Sequence, residues 1–152
     1  MLIGNRLSEI GLVLPVPAAP RFAYVPVVIH GGLAWVAGQL PWHDGQLLCK
    51  GLVGREVSIE RAAEAARLCV LQCLAQLQQA LGDLDRIERF VKVTGFVACA
   101  PGFGDQPRVI DAASQLLQEV FGEAGKHARS AVGVAELPRG APVEIEFVVA
   151  VR

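Results

Sequence analysis

Between Val57 and Leu81 apolar side chains return every three or four residues, at Ile59, Ala62, Ala66, Cys69, Val70, Cys73, Leu77 and Leu81, with Glu60, Glu64, Arg67, Gln72 and Gln76 between them. The spacing predicts a helix with one buried stripe, rich in alanine and leucine, and Gly82 stands where such a helix stops. A second helix is predicted over residues 109–122, VIDAASQLLQEVFG, with Val109, Ala113, Leu116, Leu117 and Val120 on its apolar face. In APVEIEFVVAVR the period changes to two. Val143, Ile145, Phe147, Val149 and Val151 share one face, and Glu144, Glu146, Val148 and Ala150 share the other.

The remaining apolar runs read as strands. FAYVPVVIH is interrupted by Pro26, which places it at a sheet edge or at a bulge, and GLAWVAGQLP ends at Gly38 and Pro41. His30, Gly31 and Gly32 make the turn between them, while Asp44-Gly45 marks a hairpin ahead of a short strand of about three residues. RIERFVKVTGFVAC and KHARSAVGVAEL complete the set. Residues 1–21, which include Pro15, Pro17 and Pro20, read as an irregular N-terminal arm packed on a single domain spanning residues 22–152. The order is two strands, a short strand, helix, strand, helix and two strands, an α+β mixed sheet with two helices on one face. Two helices cover one face only, so a neighbouring subunit is expected on the other.

Composition sharpens that expectation. With 53% hydrophobic and 19% charged residues in 152, the chain carries more apolar side chains than a small monomer readily hides. The formal net charge of -1, with scattered basic residues, offers no footprint for nucleic acid. The start MLIGNRLSEIG lacks the pattern of a secretory signal, and no apolar run approaches the ~20 residues of a membrane span, so a cytoplasmic protein is expected. Cys49, Cys69, Cys73 and Cys99 form no CxxC pair, and His30, His43 and His127 are too dispersed to complete a zinc site. The cysteines read as buried small hydrophobes. No Rossmann fingerprint or P-loop is present.

One residue breaks the apolar pattern near the end of the chain. Arg129, between Ala128 and Ser130 in HARSAVGVAEL, cannot discharge inside a protein, so it must reach solvent, pair with a carboxylate or await an anion. An ion pair with Glu144 or Glu146 is one reading. The other is a pocket where its planar fork binds a substrate carboxylate through two parallel hydrogen bonds. Glu144 and Glu146 point the same way, so either is available as an acid or base. If the segment is extended, alternation puts His127 on the same side as Arg129. His30 and His43 read as solvent-facing, while Trp35 and Trp42 either wall a pocket or fill core and interface, core filling being the stronger reading for Trp35. Cys99 lacks an accompanying base.

HARSAVGVAELPRGAPVEIE resembles the C-terminal signature of the Rid/YjgF/YER057c/UK114 family: Ala-Arg-Ser, a short strand, Leu-Pro, then Glu-Ile-Glu. AWVAGQLP and VKVTGFV resemble two further family strands, and the likeness covers about residues 22–152. The resemblance implies a chorismate-mutase-like α+β fold assembled as a homotrimer with three clefts between subunits. It implies hydrolytic deamination of 2-imino or 2-enamino acids to 2-keto acids and ammonia, with no metal or organic cofactor. Arg129 matches the arginine that holds the substrate carboxylate, Glu144 the glutamate that orients water, and Tyr24 a cleft tyrosine, with the backbone of Gly38 lining the cleft. Ala37 replaces the family's serine before Gly-Gln, and Asp111 replaces an asparagine near the second helix start. These departures leave open an alternative, a non-catalytic trimer binding small carboxylate metabolites in the same clefts. The acidic balance argues against the endoribonuclease role described for some members.

Overall fold

The structure, a computed structural model, describes residues 2–152. Its elements in chain order are α1 (Ile3–Glu9), β1 (Val27–His30), β2 (Leu33–Gln39), β3 (Trp42–His43), β4 (Gln46–Leu47), α2 (Ile59–Leu81), β5 (Ile87–Ala98), α3 (Gln106–Phe121), β6 (Ala128–Val134) and β7 (Val143–Val151). Five strands form one sheet in the order β1-β2-β7-β5-β6, antiparallel except for the parallel pair β5 and β6. β3 and β4 form a separate two-residue hairpin.

Local chemistry accounts for most boundaries. Ser58 caps α2 by accepting from the backbone N–H of Arg61 at 3.1 Å, and Gly82 ends the helix in the left-handed region at φ 80°. α3 begins three residues before the apolar pattern does, because Pro107 fits a first turn whose N–H groups need no intrahelical partner. Asp44 and Gly45, at φ 51° and 79°, make the β3–β4 turn, and Pro26 stands just ahead of β1, which is indeed an edge strand.

Two sequence expectations need correction. The described residues form three α-helices, not two, because part of the N-terminal arm is helical; Met1 lies outside them. A seven-residue helix is marginal alone, and tertiary contacts hold this one. The Ile3 N–H donates to Asp85 Oδ1 at 2.8 Å, Arg6 Nε donates to the Glu119 carbonyl at 3.0 Å, and Leu7 enters the core. Farther along the arm, Gln76 Nε2 of α2 donates to the Ala18 carbonyl at 2.9 Å. The second correction is Trp35. It is 54% exposed on the sheet face opposite the helices, and so is not core filling.

The core lies between the sheet and the long helices α2 and α3. Phe90 meets Phe121 and Phe147 edge to face, with ring centroids 4.9 and 5.2 Å apart, pairs worth about 0.5–1.5 kcal/mol each beyond their burial. Cys69 and Cys73 are free thiols in this layer, donating to the carbonyls of Val143 and Ile145, and burial pushes both thiol pKa values well up. β7 buries every odd residue against the helices, which leaves Glu144, Glu146, Val148 and Ala150 half-buried on the other face. Among the described residues no helix is long and apolar enough to cross a membrane.

Candidate functional site

The pairing of β2 with β7 is interrupted where the site begins. Val36 pairs with Phe147 and Gln39 with Ile145, so the extra residue of a bulge falls at Ala37-Gly38. Glu144 folds across this bulge, and a Cβ built on Gly38 would lie only 2.8 Å from Glu144 Cδ. A glycine is thus required for the carboxylate to occupy its place. Tyr24, Ala37, Gly38 and Glu144 line one cavity of about 940 Å³, bounded also by the proline-rich arm, the β3–β4 hairpin and one side of α2.

Nothing among the described residues neutralises Glu144: its carboxylate has no cation beside it and accepts no hydrogen bond. Burial pushes its pKa above the usual carboxylate range, and the neighbouring Glu146 pushes in the same direction. A half-buried carboxylate with raised basicity, open to a cavity, is equipped to take a proton from water.

Arg129 lies elsewhere. In the sheet register it sits beside Val93, which is itself beside Phe147, so its side chain is on the helix face, opposite to Glu144. Neither Glu144 nor Glu146 pairs with it. Its partner is Asp111 of α3, with Nη1 donating to Oδ1 at 2.7 Å and to Ser114 Oγ at 3.1 Å. The expected ion pair therefore exists with a different carboxylate. Strand alternation turns the two glutamates away, and α3 packs across β6 to bring Asp111 within reach.

His127 joins the same cluster. Its Nδ1 lies 2.7 Å from the Gly125 carbonyl, which can only accept, so Nδ1 carries the hydrogen and Nε2 accepts from the Ser114 hydroxyl at 2.9 Å. The chain of contacts runs from Asp111 through Arg129, Ser114 and His127 to the Gly125 backbone. Burial lowers the His127 pKa and nearby Arg129 lowers it further, against the raising effect of the Gly125 carbonyl. The ring is thus held neutral. Only Nη1 of Arg129 is engaged by these contacts, leaving the Nε–Nη2 edge of the guanidinium without a partner among the described residues.

One chain therefore carries the anticipated residues as two groups. Tyr24, Ala37, Gly38 and Glu144 meet in the cavity, whereas Asp111, His127 and Arg129 meet at the α3–β6 edge. His30 and His43 are exposed as expected, and the one hydrogen bond to the Cys99 thiol among the described residues comes from the Gln106 amide, 3.5 Å away. Ser114 was missed, since a serine at a helical spacing of three from Asp111 carries no signal until α3 is docked on β6. Arg21 and Arg139 were missed as well, although a cation inside a Leu-Pro-Arg-Gly turn was visible. Both line the Glu144 cavity and lie over the Trp42 ring, 6.0 and 5.8 Å from its centroid.

Comparison with known proteins places this architecture. Residues 4–142 match the family described as "YjgF/chorismate mutase-like, putative endoribonuclease". Protein TCP17 of Trypanosoma cruzi is 45% identical over 148 residues, 97% of this chain and 92% of that protein. The crystal structure of Atu1372, a protein of unknown function from Agrobacterium tumefaciens, superposes with a TM-score of 0.92 at 48% identity, covering 99% of this chain and 92% of that one. A putative endoribonuclease from Shewanella oneidensis superposes with a TM-score of 0.96 at 32% identity, covering 99% and 100%. The bulge at Gly38, the paired glutamates of β7 and the arginine of β6 thus belong to a fold shared along nearly its whole length: this chain is a member of the YjgF/chorismate mutase-like family.

Proposed function

We propose that this protein is a homotrimer that hydrolyses 2-imino or 2-enamino acids to 2-keto acids and ammonia in clefts between its subunits. The observation that carries the reading is Glu144, a half-buried, unpaired carboxylate of raised basicity folded over Gly38 at the wall of a cavity. Arg129 lies on the opposite face in the same chain, so a cleft holding both draws Glu144 from one copy and Arg129 from the next. The exposed apolar sheet face that includes Trp35 offers the surface for that assembly.

In this cleft the free Nε–Nη2 edge of Arg129 receives the substrate carboxylate through two parallel hydrogen bonds, while Asp111 and Ser114 fix Nη1. Asp111 then acts as an orienting group for Arg129. Water bound to Glu144 attacks the iminium carbon, its oxygen forming the new C–O bond as Glu144 takes one proton and the C=N electron pair moves to nitrogen, which leaves a neutral carbinolamine. Glu144 returns the proton to the amine, the C–N bond breaks as the hydroxyl oxygen forms the carbonyl and gives its proton to Glu144, and ammonia leaves with that proton as ammonium. The iminium carbon is already electrophilic, so positioning supplies most of what the step requires.

The Arg129–Asp111 pair favours a second reading, in which a neutralised arginine leaves a trimer that binds carboxylate metabolites without turning them over. Release of keto acid from freshly generated 2-iminopropionate separates the two. The deaminase reading predicts hydrolysis well above the spontaneous rate; no acceleration by a trimeric sample would leave the binding reading.

A further inference from the structure

The cavity beside Glu144 is far larger than a three-carbon imino acid requires. Its volume of about 940 Å³ lies near the top of the roughly 300–1,000 Å³ range of sites that enclose drug-sized ligands. Two unneutralised cations also line it. Arg21, from the proline-rich arm, and Arg139, from the turn before β7, both lie over the Trp42 ring, and among the described residues neither guanidinium has a hydrogen bond or an ion-pair partner. Each guanidinium is exposed and held by its contact with the indole, so the two present permanent positive charge, with donors to spare, at one wall of the cavity.

The backbone supports the same interpretation. Arg139 adopts a left-handed conformation, φ 60° and ψ 17°, which is strained for a residue with a Cβ and persists where surrounding structure or function demands it. Gln72 of α2 steadies the ring that carries both cations, its Nε2 donating to the Trp42 carbonyl at 3.0 Å. Asp44, the other carboxylate at this wall, already lies 3.4 Å from the ring of His43.

We propose that Arg21 and Arg139, seated on Trp42, form an anion subsite that takes the far acidic group of a dicarboxylic 2-imino acid. The inference rests on the deaminase reading and supplies its substrate class. Glu144 works at the imine carbon, Arg129 of the neighbouring copy holds the near carboxylate, and the Trp42 subsite holds the far one.

Trp42 itself reports on this. The chain has 2 tryptophans, so Trp35→Phe leaves Trp42 as the only indole. In that background 2-oxoglutarate, the stable product expected from 2-iminoglutarate, should change Trp42 emission saturably and bind at least tenfold more tightly than pyruvate, the product from 2-iminopropionate. The pair Arg21→Gln and Arg139→Gly should abolish that preference, the glycine being suited to the left-handed backbone so that loss of fold is not the cause. Equal binding of the two keto acids, a preference that survives the double variant, or displacement of 2-oxoglutarate by equimolar inorganic phosphate would each overturn the subsite. Turnover gives an independent readout. The kcat/KM ratio for 2-iminoglutarate over 2-iminopropionate should fall at least tenfold in the double variant, and an unchanged ratio would contradict the proposal. If wild type hydrolyses neither imine, the deaminase reading fails, and the fluorescence titration still decides whether the anion subsite exists.

Discussion

Glu144 holds its charge where burial and Glu146 both oppose it, and that opposition has a measurable sign. Its folded pKa lies above the unfolded value, so the native state binds the proton more tightly. Its contribution to stability is therefore fully present at acid pH and is lost as pH rises through the folded pKa. Glu144→Gln should melt at a higher temperature than wild type at pH 7 and lose that advantage near about pH 4, while hydrolysis falls roughly 10²–10⁴-fold if Glu144 is the general base. A variant that loses activity and also melts lower at pH 7 would contradict the unpaired, disfavoured carboxylate described above. Arg129→Lys tests the other group. A lysine keeps the charge opposite Asp111 but cannot offer two parallel donors, so KM for the imino acid should rise by about tenfold or more while the folded state persists. Wild-type KM in that variant would remove the bidentate role. Both residues stood out in the sequence, Arg129 as a cation in an apolar run and Glu144 as a carboxylate opening an alternating strand. Which carboxylate meets the arginine did not, because that depends on how α3 is seated on β6, a packing outcome with no local signature.

At the level of elements, the bulge in β2 is what makes room for Glu144. Gly38→Ala would place a Cβ about 2.8 Å from Glu144 Cδ and 3.0 Å from its Oε2. The atoms it meets belong to the far end of a flexible side chain, so the carboxylate should swing away and the fold should survive. The expected result is a melting temperature within a few degrees of wild type with hydrolysis reduced at least tenfold, and unimpaired turnover would count against the placement of Glu144. Periodicity located α2 and β7 to within about two residues because each buries one long regular face. It failed for α1, where Ile3, Leu7 and Ile10 share a helical face too short to register, and whose stability comes from Asp85, Glu119 and the core. The bulge was equally hidden, since Gly38 marked only where a strand could end.

For the whole molecule, the sheet face opposite the helices is the feature that one chain leaves unresolved. Trp35, Val28 and Val132 are exposed there at 54%, 49% and 42%, beside the half-buried Val148 and Ala150 of the central strand. An excess of apolar residues and a strand apolar on both faces point to this surface in the sequence, although nothing local to Trp35 sets it there rather than in the core. Trp35→Lys should yield a monomer by light scattering, with the helix-face core intact by circular dichroism; a trimer that tolerates the lysine would place the interface elsewhere.

The central claim, that Glu144 of one copy works with Arg129 of another, is tested most directly by mixing two inactive proteins. Arg129→Ala and Glu144→Gln, each nearly inactive alone, are unfolded together, refolded at equal concentration and assayed on 2-iminopropionate. Random assembly puts an intact Glu144 and an intact Arg129 in about a quarter of the intersubunit clefts, so the mixture should regain about a quarter of the wild-type rate. A mixed trimer that stays as inactive as its components would contradict the shared cleft.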